Sequence, residues 1–224
     1  MDPRSLSHRW IPGLVAGMDR FNARHPWVHN DHFHGWVLRH LPERRRRALD
    51  VGCGRGGLLL RLAPRFDDVL GTDVDDEMRS VAAGRLARHP HARVSAEQLS
   101  DLAGPFDLVT MVASLHHLDT AAALREVSRL LAPGGRLLVV GLVRCETPLD
   151  WAWDAACLVS NPVIGLVKHP RAARGAAAGP AVPVQDPEET LAELRALFED
   201  SLPGARLRRR IGFRYTAAWT KPSS

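Results

Sequence analysis

Lysine is nearly missing from this chain, since Lys168 and Lys221 are the only two among its 30 basic residues. Tyrosine occurs once, at Tyr215, and cysteine three times, at Cys53, Cys145 and Cys157. An odd cysteine count without metal-ligand spacing supports neither a disulfide framework nor a zinc site. Long hydrophobic runs are missing too. The charge-free stretch in the apolar region near Trp151 extends only from Ala155 to Val167 and is interrupted by Asn161-Pro162. A bilayer-spanning helix needs roughly 20 apolar residues. Met1–Trp10 lacks the apolar segment of a secretory signal. These absences predict a protein of the reducing cytoplasm, with no membrane partner.

What is present is the composition of an ordinary folded protein. The chain has 224 residues, of which 45% are hydrophobic and 25% charged, enough for one α/β domain with a core. A net charge of +5 and a sequence pI near 9.8 raise the question of nucleic acid. The excess of Arg over Lys, beside much Ala, Gly and Pro, matches the codon bias of a GC-rich genome. The run Arg44–Arg47 also falls at the end of an element, where solvated charge is common. Nucleic acid is therefore not the expected partner.

Residues 1–43 read as an N-terminal arm rich in His and Trp, followed by a domain over 44–224. From Ala48 onward short apolar runs alternate with helical patterns, the signature of βαβ units and a parallel sheet. The expected strands are Ala48–Val51, Val69–Thr72, Arg93–Ser95, Phe106–Val112, Arg136–Val140, Arg206–Ile211 and Phe213–Thr220. Expected helices cover Leu58–Ala63, Asp75–Arg88, Thr120–Leu131 and Pro187–Phe198, the last capped by Asp186. Pro133-Gly134-Gly135 reads as the turn into the fifth strand. Residues 144–186 change character and read as a helical insertion with a Pro/Gly/Ala loop, a possible substrate lid.

The segment Ala48-Leu-Asp-Val-Gly-Cys-Gly-Arg-Gly-Gly57 puts glycines at a strand-to-helix turn. There Gly52 and Gly54 let a ligand approach the backbone. Asp73 ends the next strand, where a carboxylate can accept both hydroxyls of a ribose. Gly52, Gly54 and Gly57 also satisfy the dinucleotide fingerprint, so an NAD-dependent oxidoreductase is one reading of this loop. It lacks an obvious catalytic Tyr/Lys pair. A protein that binds a cofactor without catalysis and works through a partner is another reading.

Further segments follow in order: Gly71-Thr-Asp-Val-Asp75, Phe106-Asp-Leu-Val-Thr-Met-Val-Ala-Ser-Leu-His-His-Leu-Asp119 and Leu130-Leu-Ala-Pro-Gly-Gly-Arg-Leu-Leu-Val139. With the glycine loop, they make residues 47–142 resemble the class I S-adenosylmethionine-dependent methyltransferases, specifically the small-molecule type 11 branch. The resemblance implies a Rossmann-like α/β fold, a seven-stranded sheet of order 3-2-1-4-5-7-6 with strand 7 antiparallel and helices on both faces. It implies S-adenosyl-L-methionine as cofactor and a small-molecule methyl acceptor, with O, N or C as nucleophile, in a biosynthetic pathway. By position, Asp50, Gly52, Cys53 and Gly54 would line the methionine moiety. Asp73 would hold the ribose, with Val74 and Met78 on the adenine. Ala96 and Glu97 match the segment at the adenine edge, although Ser95 stands where the family commonly has Asp. Val112 would pass near the methionine amino group. The family's N-terminal arm folds over the cofactor, which brings Asn30, His32 and His34 into reach of its carboxylate or of the substrate.

Methyl transfer from a sulfonium is a direct displacement, so the protein mainly aligns the acceptor and excludes water. A base is needed where the acceptor holds its proton tightly, and histidine suits that task. His116 and His117, just beyond strand four, are the positional candidates, with His34 as a third. The segment Ala113-Ser-Leu-His carries no Asn-Pro-Pro-aromatic motif, which disfavours base amino groups as acceptors. Trp36, Trp151, Trp153 and Leu158 are candidates for an apolar acceptor wall. Lys168, Arg171 and Arg174 are candidates to attract an acidic substrate.

Overall fold

The structure is a computed structural model that describes residues 29–144, 187–210 and 214–223. The readings on residues 1–28, the side chains of Asn30 and His32, Trp151, Trp153, Leu158, Lys168, Arg171 and Arg174 lie outside the described residues.

Seven strands are formed: β1 (Arg47–Val51), β2 (Asp68–Thr72), β3 (Ala92–Ser95), β4 (Phe106–Val112), β5 (Leu131–Leu142), β6 (Arg206–Arg210) and β7 (Arg214–Thr220). They make one sheet in the order β3-β2-β1-β4-β5-β7-β6, with β7 antiparallel to both neighbours. This is the topology that the four motifs imply. Among the described residues five α-helices accompany it: α1 (His29–Arg39), α2 (Leu59–Leu62), α3 (Asp76–Leu86), α4 (Thr120–Leu130) and α5 (Leu191–Ser201).

Strand periodicity divides the core between two faces. On one, Leu49, Val109, Met111, Val139 and Tyr215 pack with Leu124 and Val127 of α4 and with Leu194 and Phe198 of α5. On the other, Ala48, Val69, Leu108 and Leu138 pack with Val37 of α1 and with Leu59 and Leu62 of α2. Full burial of each such aliphatic side chain contributes about 1.5–3 kcal/mol. Both faces are thus closed, and the functional surface falls to the carboxyl ends of the strands.

Two local expectations are corrected. Helix α5 starts at Leu191 rather than Pro187, because Thr190 and Glu193 form a capping box. The Glu193 N–H donates to Thr190 Oγ1 (3.2 Å) and the Thr190 N–H donates to Glu193 Oε2 (2.7 Å). That reciprocal pair satisfies two helix-end donors, which Pro187 behind Asp186 cannot match. Next, the Pro133-Gly134-Gly135 turn is absorbed into β5. Pairing with β4 passes from Phe106–Leu131 to Leu108–Arg136, so the extra residues bulge, with Gly134 at φ +75°.

The basic run is solvated as expected, and it also braces the sheet. The Arg44 Nε–H donates to Asp107 Oδ1 (2.5 Å), and the Arg46 and Arg47 N–H groups donate to Asp107 Oδ2 (2.7 and 3.1 Å). Arg47 also pairs with Asp68 (3.2 Å). Arg44 and Arg47 thus brace the amino end of the sheet, while Arg44, Arg45 and Arg46 stay exposed to solvent. At the sheet's other border, β6 is an edge strand of sequence Arg-Leu-Arg-Arg-Arg, with Arg206, Arg208 and Arg209 exposed.

Candidate active site

The loop after β1 is tied to the end of β2. The N–H groups of Gly52 and Cys53 both donate to the Thr72 carbonyl, at 2.8 and 2.9 Å. Gly52 has φ +69°, and a Cβ there would lie 2.4 Å from Ser114 Cβ. Glycine is therefore required twice over, for conformation and for space. Gly54 has φ +52° with open space where a Cβ would point. The third packing glycine is Gly56, at φ +72°, whose Cβ would stand 3.0 Å from Ala82 Cβ of α3.

Asp73 closes the cradle from the tip of β2. Its Oδ2 accepts from the Gly54 N–H (2.8 Å) and its Oδ1 from the Asp75 N–H (3.0 Å). Each oxygen keeps a lone pair for a further donor. Next to it Val74 is 88% exposed, whereas Met78 on α3 is 3% exposed, so of the two only Val74 offers open surface. The Asp73 N–H donates to the Ser95 carbonyl (3.2 Å), which sets Ala96 and Glu97 beside the same tip. Glu97 is engaged by Ser95, whose Oγ–H donates to Glu97 Oε2 (2.7 Å).

Asp50 is 2% exposed. The Thr110 hydroxyl donates to its Oδ1 at 2.7 Å. Burial, with Asp73 adding to it against the pull of Thr110, pushes the Asp50 carboxyl up to about 7. The Cys53 thiol is raised by burial and then by Asp50 and Asp73, so it stays protonated and unreactive.

β4 ends in a bent exit. Ala113, directly after Val112, has φ +57°, a left-handed conformation that few non-glycine residues adopt. The Ala113 N–H donates to the Val140 carbonyl (2.7 Å) and the Ser114 hydroxyl to the Val51 carbonyl (2.6 Å), which hold the bend in place. A single 3₁₀ turn, Leu115–His117, follows. It sets the His116 and His117 rings 4.1 Å apart. His116 is half-buried and its Nδ1 is enclosed without a hydrogen-bond partner among the described residues. Burial, then His117 and Arg214, lower its pKa to about 4, so the ring is neutral at pH 7. His34, on α1, is 5% exposed. Trp36 is partly buried against the α1/α2 core, with its ring 4.7 Å from that of His40.

Sequence reasoning missed Arg214, the first residue of β7, paired with Leu142 at the carboxyl end of β5. Its guanidinium carbon lies 5.9 Å from the centre of the Phe33 ring of α1. Residues 214, 216 and 218 share a strand face, and Ala218 packs inward on the α1 side.

Known proteins agree with this geometry. The methyltransferase domain family matches residues 49–137. An uncharacterized methyltransferase of Mycobacterium bovis is 35% identical over 209 residues, covering 88% of this chain and 98% of that protein. The chain belongs to the class I S-adenosylmethionine-dependent methyltransferase family. A ubiquinone biosynthesis O-methyltransferase of Methylococcus capsulatus is 35% identical to this methyltransferase over 105 residues, 44% of each chain. Magnesium protoporphyrin IX methyltransferase of Synechocystis, solved with bound S-adenosylhomocysteine, shares the fold. It covers 98% of this methyltransferase and 100% of its own chain, at TM-score 0.54 and 18% identity.

Proposed function

We propose that this methyltransferase uses S-adenosylmethionine to methylate a small-molecule acceptor at the carboxyl ends of β1 and β4, beside the amino end of the antiparallel β7. The observation that carries this reading is the shared opening of two features. The glycine cradle with Asp73 and Val74 lies at the same end of the sheet as the neutral, half-buried His116. Open sheets of this kind bind ligands at the switch in strand order, here between β1 and β4.

The cradle fits such a cofactor. Gly54 leaves room for it, Asp73 has acceptor capacity for ribose hydroxyls, and Val74 offers an apolar face to adenine. Asp50, Gly52, Cys53 and Val112 border the methionine end, while Ala96 and Glu97 flank the adenine edge. When bound, S-adenosylmethionine supplies an electrophilic methyl carbon on a sulfonium. The chain then needs to exclude water, aim the acceptor and take up its proton where there is one. His116 is suited to the last task because burial keeps its ring neutral. With a pKa near 4 it is a weak base, so it serves an acceptor whose own proton is acidic or whose charge lifts the imidazole. His117, stacked on it, limits its rotation.

Resemblance to an O-methyltransferase supports a small acceptor. Tyr215, 1% exposed and stacked under Gly141, is too deep to serve a hydride site, which removes support from the NAD reading.

Calorimetry with S-adenosylhomocysteine and NADH tests the cofactor, with binding of the former and not the latter expected. Mass spectrometry for a methylene gain across the products of neighbouring biosynthetic genes tests the acceptor. His116→Ala should lower kcat about tenfold or more while cofactor affinity stays within about twofold. Unchanged kcat would remove the proton-accepting role. Binding of S-adenosylhomocysteine with no methylated product from any acceptor would favour the non-catalytic reading.

A further inference from the structure

Arg214 is out of place by ordinary rules. Arginine rarely enters a protein interior without a carboxylate or phosphate partner, because an unpaired buried charge costs several kcal/mol. Here two of its three guanidinium nitrogens, Nε and Nη1, are enclosed with no hydrogen-bond partner among the described residues. Burial lowers its pKa only to about 10, so the group stays charged at neutral pH. The Phe33 ring at 5.9 Å gives it a weak cation–π contact, which adds attraction but accepts no N–H. The neighbouring His116 has its own enclosed and unpartnered Nδ1. Two polar groups without partners among the described residues therefore lie near each other, close enough for the Arg214 charge to act on His116, by the end of β4, the start of β7 and α1. Its chemistry asks for an anion beside a hydrogen-bonding group.

The sheet says whose anion it is. Neighbouring strands are about 4.8 Å apart. β7 is separated from β4 by β5 alone, and from the glycine cradle of β1 by both β4 and β5. Arg214 thus stands roughly 10 Å beyond β4, on the side away from Asp73. That is the acceptor's side of the reacting centre. A single guanidinium balances a single negative charge and matches a planar carboxylate. The geometry points to Arg214 as the anchor for a carboxylate on the methyl acceptor, with Phe33 flanking the apolar part of that molecule and His116 at its reacting end. Paired in this way, Arg214 repels a proton on His116 less than it does alone. This inference rests on the methyltransferase reading and names the acceptor class for the same site.

The test uses the full chain saturated with S-adenosylhomocysteine. Calorimetric titrations with acetate, benzoate, 2-naphthoate, benzamide and inorganic phosphate are run on wild type, Arg214→Met and Arg214→Lys. At least one carboxylate should bind wild type with saturation and exceed its neutral amide. Its affinity should drop tenfold or more in Arg214→Met and recover in part in Arg214→Lys. Arg214→Met should also melt higher than wild type without ligand, because the enclosed charge is gone, and this shows the variant to be folded. The proposal falls if none of the carboxylates binds, if Arg214→Met binds them equally, or if phosphate binds more tightly than any of them. It falls too if Arg214→Met loses S-adenosylhomocysteine, since Arg214 would then hold the cofactor's own carboxylate. Failure of wild type to bind S-adenosylhomocysteine would instead strike the methyltransferase reading itself.

Discussion

The two halves of the cleft are built on opposite principles. Around the β1 and β2 tips most polar groups already have partners within the protein. Asp73 holds the Gly54 and Asp75 amides, Thr110 holds Asp50, and the Thr72 carbonyl takes two amides of the loop. Around the β4 exit and β7, His116 Nδ1 and two nitrogens of Arg214 have none among the described residues. The first half is a finished mould whose shape does not wait for a ligand. The second is completed by one. A common cofactor and a particular acceptor call for these different solutions.

The largest expected effect sets the halves against each other through pH. Asp50 has a native pKa near 7, above its ordinary value near 3.8, so its contribution favours folding below pH 4 and is lost as pH rises to 7. The slope is about 1.4 kcal/mol per pH unit at most. His116 has a native pKa near 4, below its ordinary 6.5, so its contribution is present above pH 6.5 and is lost as pH falls toward 4. The two slopes oppose each other between those limits, with the half-exposed histidine the weaker. In urea titrations at pH 5, 6 and 7, Asp50→Asn should abolish the fall with rising pH, whereas His116→Asn should steepen it. Parallel curves for both variants would end the comparison.

Asp73→Ala probes the finished half directly. It should weaken S-adenosylhomocysteine binding by roughly 1–3 kcal/mol, the scale of charge-assisted hydrogen bonds. Calorimetry reads this, and unchanged affinity would mean that the ribose lies elsewhere. Ala113→Gly probes the seam between the halves and carries the smallest effect. Relief of the left-handed conformation should stabilise the chain by about 0.5–1 kcal/mol in denaturant titration. Any fall in kcat that accompanies it would show that the rigid bend helps to aim His116.

The mould was the more legible half because its requirements are local. Glycines at Gly52 and Gly54 and a carboxylate at Asp73 are demanded by backbone geometry, and their spacing survives in the linear chain. The parallel α/β class was readable for a related reason, since strand and helix periods alternate from Ala48 to Val140, whereas the sheet order followed from the resemblance that the four motifs carry. Arg214 was hidden because nothing in its neighbourhood along the chain marks it. Its meaning arises only when β7 inserts beside β5 and brings it to His116, nearly a hundred positions earlier in sequence. Thr190 was overlooked because Pro187 gives a helix-start signal that its capping box overrides. Met78 shows the converse, as a position in the adenine segment whose burial leaves Val74 to offer the apolar surface.

The arginine-studded border of β6 has a consequence for company. Two copies of this chain aligned border to border would bring like-charged guanidinium rows within a strand's width, and the repulsion would keep sheets from fusing into a continuous ribbon. Lone strands of other proteins meet the same rule. Only one bearing carboxylates on its flanks could zip onto that rim, so the positive fringe acts as a filter on self-association and on stray pairing alike.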